Sequence, residues 1–152
     1  MKASDLIKMY SMKDHVENGM FIELNEEKDT GEYRPASRYI YYYVGVKERT
    51  KFHKIDCDEY WIYNAGSDIE ICIINEDGKV EFKKLGLGEN KKLLVLLKKG
   101  TIFASKGLGV DDGTFITCIT VPRFRYSGFK LYDDSDAINI GGNKVREWIN
   151  TL

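Results

Sequence analysis

The run Lys51-Phe-His-Lys-Ile-Asp-Cys-Asp-Glu-Tyr-Trp-Ile-Tyr-Asn-Ala-Gly66 places one of the chain's two histidines beside three carboxylates and four large aromatic residues. His53 is the side chain whose ordinary pKa lies nearest neutrality, and Asp56, Asp58 or Glu59 can orient it or raise its basicity. That combination suits proton transfer. A metal is the other chemistry a His/carboxylate cluster suggests, but two histidines in the whole chain cannot supply a nitrogen-rich ligand set. The expectation is therefore a metal-free, cofactor-free site. His15-Val-Glu17 offers a second His/carboxylate pair, read as a turn-side hydrogen bond in the segment entering the first strand.

Something must position these groups, and the sequence points to strands. Arg38-Tyr-Ile-Tyr-Tyr-Tyr-Val44 and Glu59-Tyr-Trp-Ile-Tyr63 are aromatic and β-branched. Ile69 to Ile74 and Lys79 to Leu85 flank Asn75-Glu-Asp-Gly78, whose Asp-Gly supplies the positive φ of a tight hairpin. Lys91-Lys-Leu-Leu-Val-Leu-Leu-Lys-Lys99 reads as a fully buried strand between lysine pairs, and Thr114 to Val121 as another strand after Asp111-Asp-Gly113. At the N-terminus Ser4 is expected to cap a short helix. After Gly141-Gly142, Asn143 is expected to cap a helix whose stripe of Val145, Trp148, Ile149 and Leu152 packs on the strands. The fold class is all-β, a sandwich or barrel.

At 152 residues one core is expected. With 23 basic against 24 acidic side chains no field of one sign favours a nucleic acid or an anionic membrane. Cys57, Cys72 and Cys118 show no ligand or disulfide spacing and read as buried hydrophobes of a cytoplasmic protein. The N-terminus has no signal-peptide core, and the longest aliphatic run is too short to span a bilayer. Gly86-Leu-Gly88 and Gly107-Leu-Gly109 lack the setting of a dinucleotide fingerprint. Asp133-Asp-Ser-Asp136 lacks the central glycine of a calcium loop and reads as a solvated exit.

The order of these pieces resembles the cupin superfamily. Gly45, five residues, Lys51-Phe-His53, then Glu59, six residues and Gly66 follow the outline of its first motif, with lysine for the first histidine. More narrowly, His15-Val-Glu-Asn-Gly-Met-Phe21 and Cys57-Asp-Glu-Tyr-Trp-Ile62 are similar to the start and centre of a family of small single-domain cupins of unknown function. Ser37, Ile40, Tyr41, Leu85-Gly86, Gly100, Cys118, Val121, Pro122 and Phe124 extend the likeness to about residue 132. In the second motif Phe103 stands at a histidine ligand position, and Ile62 replaces a histidine after Trp61.

The resemblance implies a cupin jelly-roll barrel over residues 1–132, with a short N-terminal helix and a C-terminal helical extension over 133–152 in the same domain. It implies a small polar or cyclic ligand in the barrel mouth, lined by Tyr41, Lys51, Trp61 and Phe103, and pairing as a homodimer through an aromatic-rich edge strand, Tyr39 to Val44. The deoxysugar-nucleotide epimerases share the barrel and use a histidine base with a tyrosine acid. By that likeness His53 is the base, Glu59 or Asp56 the orienting acid, and Tyr126 the acid across the pocket, with Tyr41, Tyr43 and Tyr60 as further candidates. Three functions stay open: a non-catalytic ligand binder, a metal-independent isomerase or epimerase, and a degenerate barrel serving as an interaction module.

Overall fold

The computed structural model describes residues 1–151; Leu152, counted above in the C-terminal stripe, lies outside the described residues. In chain order the elements are α1 (Asp5–Met9), β1 (Lys13–Asp14), β2 (Met20–Glu23), β3 (Arg38–Val44), β4 (Phe52–Lys54), β5 (Asp58–Gly66), β6 (Ile69–Ile74), β7 (Val80–Leu85), β8 (Leu94–Leu97), β9 (Ile102–Gly107), β10 (Thr114–Val121), β11 (Lys130–Tyr132), α2 (Asp134–Gly141) and α3 (Asn143–Asn150). The strands form two antiparallel sheets, ordered β1-β2-β3-β10-β5-β8 and β11-β4-β9-β6-β7. This is the all-β jelly roll the sequence implied.

Alternation along the strands sorts the side chains. Ile40, Tyr42 and Val44 of β3, Trp61 of β5, Ile69, Ile71 and Ile73 of β6, Phe103 of β9 and Cys118 of β10 meet between the sheets. The opposite parity faces outward and is covered by helices. Tyr41, Tyr43 and Phe115 pack under α1 with Ala3, Leu6 and Ile7. Phe52, Cys72 and Ile74 pack under α2 and α3 with Ala137, Val145 and Trp148. All three cysteines are free and buried.

The β6–β7 hairpin pairs Ile74 with Val80, and Gly78 turns at φ 83°, as Asp-Gly requires. Four expectations need correction. Strand β3 lies inside its sheet, between β2 and β10, so its aromatic run is not an edge. Strand β8 is an edge strand with one buried face: Val95 and Leu97 point inward while Leu94 is half exposed. Ser4 makes no side-chain cap; the Asp112 carboxylate instead accepts from Ala3 N at 2.6 Å and Ser4 N at 3.1 Å. Asp133 is no loop residue but the cap of α2, accepting from Asp136 N at 2.8 Å, so the tail holds two helices and Asn143 is the first residue of the second. No helix among the described residues is long and apolar enough to cross a membrane.

Candidate functional site

Between the sheets lies a small enclosed chamber, about 20 Å3, lined by His15, Glu17, Tyr42, His53, Glu59 and Trp61 among others. Strand β4 carries His53 to it. Because Phe52 turns out toward Trp148, His53 must turn in, and it lies directly opposite Phe103 in the pairing of β4 with β9. The imidazole packs on the Phe103 ring, 4.3 Å between centroids.

Glu17 reaches the same point from the other end of the chain. The turn between β1 and β2 is sewn to the segment entering β4: Lys51 N donates to Glu17 O at 2.8 Å, Asn18 Nδ2 to Arg49 O at 2.9 Å, and Tyr42 OH to Asn18 O at 2.6 Å. Gly19, at φ 76°, lets the turn lie on Tyr42, since a Cβ there would sit 2.7 Å from that ring. Glu17 is 7 % exposed and His53 3 %, and Glu17 Oε2 lies 3.0 Å from His53 Nε2.

The protons in this pair follow from the donors available. His53 Nδ1 is 2.9 Å from Lys51 O; a carbonyl only accepts, so Nδ1 carries a proton. In the neutral ring Nε2 is then a bare lone pair, and a hydrogen bond to Glu17 requires the carboxyl to supply the hydrogen. The alternative, imidazolium against carboxylate, holds the same number of protons. Burial decides between them: it pushes the Glu17 carboxyl up to about 8 and lowers His53, so the neutral pair, with the proton on Glu17, is favoured.

Glu59 follows Glu17 electrically. Burial, and then the nearby Glu17, raise it to about 7. Its Oε2 accepts from Trp61 Nε1 at 2.9 Å, a bond that favours the ionised form. His15 is held neutral, lowered to about 4 by burial and then by His53 and Arg38. Its Nδ1 accepts from Glu17 N at 3.2 Å, so it is the opposite tautomer from His53. Two acids titrating at or above neutrality thus face two imidazoles held neutral.

Arg38 and Phe124 line both this chamber and an outer vestibule of about 530 Å3, and so stand between the two. Tyr126 lies in the vestibule, in the 3-10 turn Tyr126–Gly128, 59 % exposed. Of the residues singled out from the sequence, His53, Glu59 and Trp61 are brought together, with Phe103 against them. Lys51 points to solvent and contributes only its backbone. Tyr41 packs outside the barrel, 5.0 Å from the Tyr10 ring, because β3 turns Tyr42 inward instead. Asp56 is engaged by Arg34 Nη2 at 3.0 Å, and the carboxyl on His53 is Glu17. Ile62 has the parity opposite to Trp61 and lies outside the chamber. His15 and Glu17, read as turn residues joined by a hydrogen bond, are that, Glu17 N donating to the His15 ring, and they are wall residues of the chamber as well.

These residues do not fit a metal. The one ring nitrogen of His53 free of the backbone is taken by Glu17, Trp61 donates into Glu59, and Phe103 occupies the position of a further ligand. Among the described residues no three His, Cys, Asp or Glu side chains are grouped to hold an ion.

The fold matches a protein from Shewanella oneidensis with a TM-score of 0.86 at 26 % identity, over 96 % of this chain and 94 % of that one. A hypothetical protein from Leishmania major superposes at 0.80 with 20 % identity, over 91 % and 92 %. Oxalate decarboxylase from Bacillus subtilis shares the fold alone, at 0.61 and 12 % identity, with 100 % of this chain on 38 % of that one. No curated protein matches. Residues 4–132 match the family described as Cupin superfamily (DUF985), and the chain belongs to that family.

Proposed function

We propose that this cupin binds a small molecule at the barrel mouth without a metal and catalyses proton transfer on it, as an isomerase or epimerase of a sugar-like or keto substrate. The observation that carries this reading is the His53–Glu17 pair, buried and 3.0 Å apart beside a second carboxyl, Glu59. A general base works best with a pKa near the operating pH, and Glu59 at about 7 meets that condition. In the proposed step Phe124 and Arg38, which separate the chamber from the vestibule, move aside to admit the substrate to a space that otherwise has room for about one water, and Glu59, as carboxylate, removes the proton from the carbon next to the substrate carbonyl. Glu17 gives its proton to the carbonyl oxygen and with it gives up its hydrogen bond to His53 Nε2, which forms again when the proton returns. Return of a proton to carbon, with the enol proton going back to Glu17, closes the cycle with no net change in protons. His53 is thus the partner of the acid, a change of role from the base expected by resemblance. Because Tyr42 spends its single hydroxyl proton on Asn18 O, it does not serve as the acid.

The test has two arms. In protein labelled with 13C at glutamate carboxyls, Glu17 and Glu59 should titrate near 8 and 7. In D2O the protein should exchange carbon-bound hydrogen in a panel of keto acids, keto sugars and their phosphate esters, and Glu59→Gln or His53→Gln should abolish that exchange. Both carboxyls titrating at the ordinary value of 4.5 would overturn the reading.

A further inference from the structure

We propose that the vestibule binds an oxyanion, the carboxylate or phosphate group of the substrate, on Arg123 and Arg38, with the rest of the molecule directed past Phe124 toward His53. This deepens the proton-transfer reading and rests on it only for what happens beyond Phe124.

The charge balance of the vestibule is lopsided in a chain whose net charge is −1. One carboxylate, Glu23, faces three cations: Arg38 Nε at 2.6 Å, Arg123 Nη2 at 2.8 Å and Lys28 Nζ at 2.8 Å. Burial works against its ionisation, but the bonds from these three donors win and hold it down to about 2. Arg125 is spent differently, bidentate on Asp29 at 2.5 and 3.0 Å. Arg123 is the residue left short. It is 8 % exposed, it lines the vestibule, and its Nε and Nη1 are enclosed without an acceptor. Buried donors are normally satisfied, and the Nε–H and Nη1–H of Arg123, on different edges of the guanidinium, each offer one charge-assisted bond to an oxygen of a carboxylate or phosphate. Binding requires the guanidinium to swing toward the space it already borders. Arg38, which lines both cavities, then ties the anion to the chamber.

Protein labelled with 15N-arginine, titrated with inorganic phosphate and separately with malonate, tests this against sodium chloride at equal ionic strength. The Nε–H signals of Arg123 and Arg38 should move saturably, while those of Arg125 and Arg49 stay. Saturation by phosphate alone identifies a phosphate ester as ligand, and by malonate alone a carboxylate. Arg123→Gln should weaken binding by about tenfold, the loss of one charge-assisted pair; His53→Gln should leave it within about twofold. The wild-type titration stands even if the arginine variant fails to fold. No saturable shift at Arg123 with either anion, or equal shifts at all arginines, would overturn the proposal. An anion site found with carboxyls that titrate ordinarily would keep the vestibule and remove the proton transfer; shifted carboxyls without an anion site would do the reverse.

Discussion

Replacing Glu17 with Gln should flatten the stability of this protein above neutral pH. A carboxyl with a raised folded pKa holds its proton more tightly in the fold than in the unfolded chain. Its contribution is intact below the unfolded value and is lost as pH climbs to the folded one, here from 4.5 to about 8 for Glu17 and about 7 for Glu59. The histidines act in the opposite sense. With His15 lowered from 6.5 to about 4 and His53 also lowered, both cost stability as pH falls below 6.5. Between 4.5 and 6.5 the two pairs oppose each other and the curve is nearly level. Above 6.5 only the carboxyls remain. At 1.36 kcal/mol per pKa unit, the wild type loses about 2 to 3 kcal/mol by pH 8, most of it through Glu17. A glutamine at position 17 keeps the hydrogen bond, its amide donating to His53 Nε2, and has nothing to titrate. It also relieves Glu59, whose pKa Glu17 raises. The variant should therefore lose less than about 1 kcal/mol over the same range and exceed the wild type at pH 8. Urea unfolding at pH 6.5, 7 and 8 measures this directly. A wild-type curve that stays level or rises from 6.5 to 8, or a variant that falls as steeply, would refute the proton assignment.

Three further outcomes follow from named contacts. Trp61→Phe removes the donor to Glu59 Oε2, so the Glu59 pKa should rise above about 7, read by carboxyl NMR; no rise would mean the indole does not set that charge. Lys106 is buried with its Nζ donating to Trp148 O at 2.8 Å and to Thr151 O, and burial lowers its pKa. Lys106→Met should cost about 1.5 to 3 kcal/mol and speed amide exchange in α3 before the sheets. Gly19→Ala puts a Cβ 2.7 Å from Tyr42 at φ 76°, which should cost about 2 to 4 kcal/mol in urea unfolding and release the turn that carries Glu17.

The barrel was legible because it is written locally. The Asp-Gly hairpin, the β-branched runs of β6 and β10 and the order of the motif residues each fix an element or its place. Parity was harder. In Tyr39-Ile-Tyr-Tyr-Tyr-Val44 both faces of β3 are buried, one under the second sheet and one under α1, so the run shows no alternation, and nothing local says that Tyr42 rather than Tyr41 turns inward. The site was half legible for a related reason. His53, Glu59 and Trp61 come from one hairpin-scale segment, whereas Glu17 arrives through backbone bonds from Lys51 and a tyrosine bond to Asn18, contacts whose partners are about thirty residues apart. Tyr126 was out of reach of the chamber because the turn at 126–128 faces the vestibule.

Two substitutions against the superfamily outline, Lys51 and Phe103, explain why a carboxyl reaches His53 at all. Lysine at 51 leaves the barrel, so its side chain offers no ligand while its carbonyl fixes the Nδ1 proton of His53. Phenylalanine at 103 fills the space beside the imidazole with a ring that offers no lone pair. Nε2 then has one hydrogen-bonding partner, Glu17, and a buried lone pair without a donor is costly. A protonated carboxyl satisfies it at no cost in net charge, whereas an ionised one would bury charge. The proton on Glu17 therefore takes up the His53 lone pair that a metal ion would need. On this argument, restoring histidine at 103 alone should not create a metal site, because Nε2 of His53 is already engaged. Phe103→His combined with Glu17→Gln would still present an amide to Nε2; only Phe103→His with Glu17→Ala frees the nitrogen. Zinc titration by calorimetry should find binding in that double variant and none in Phe103→His. Tight zinc binding by Phe103→His alone would show that Glu17 yields the nitrogen readily, and that the shared proton is weaker than its 3.0 Å separation implies.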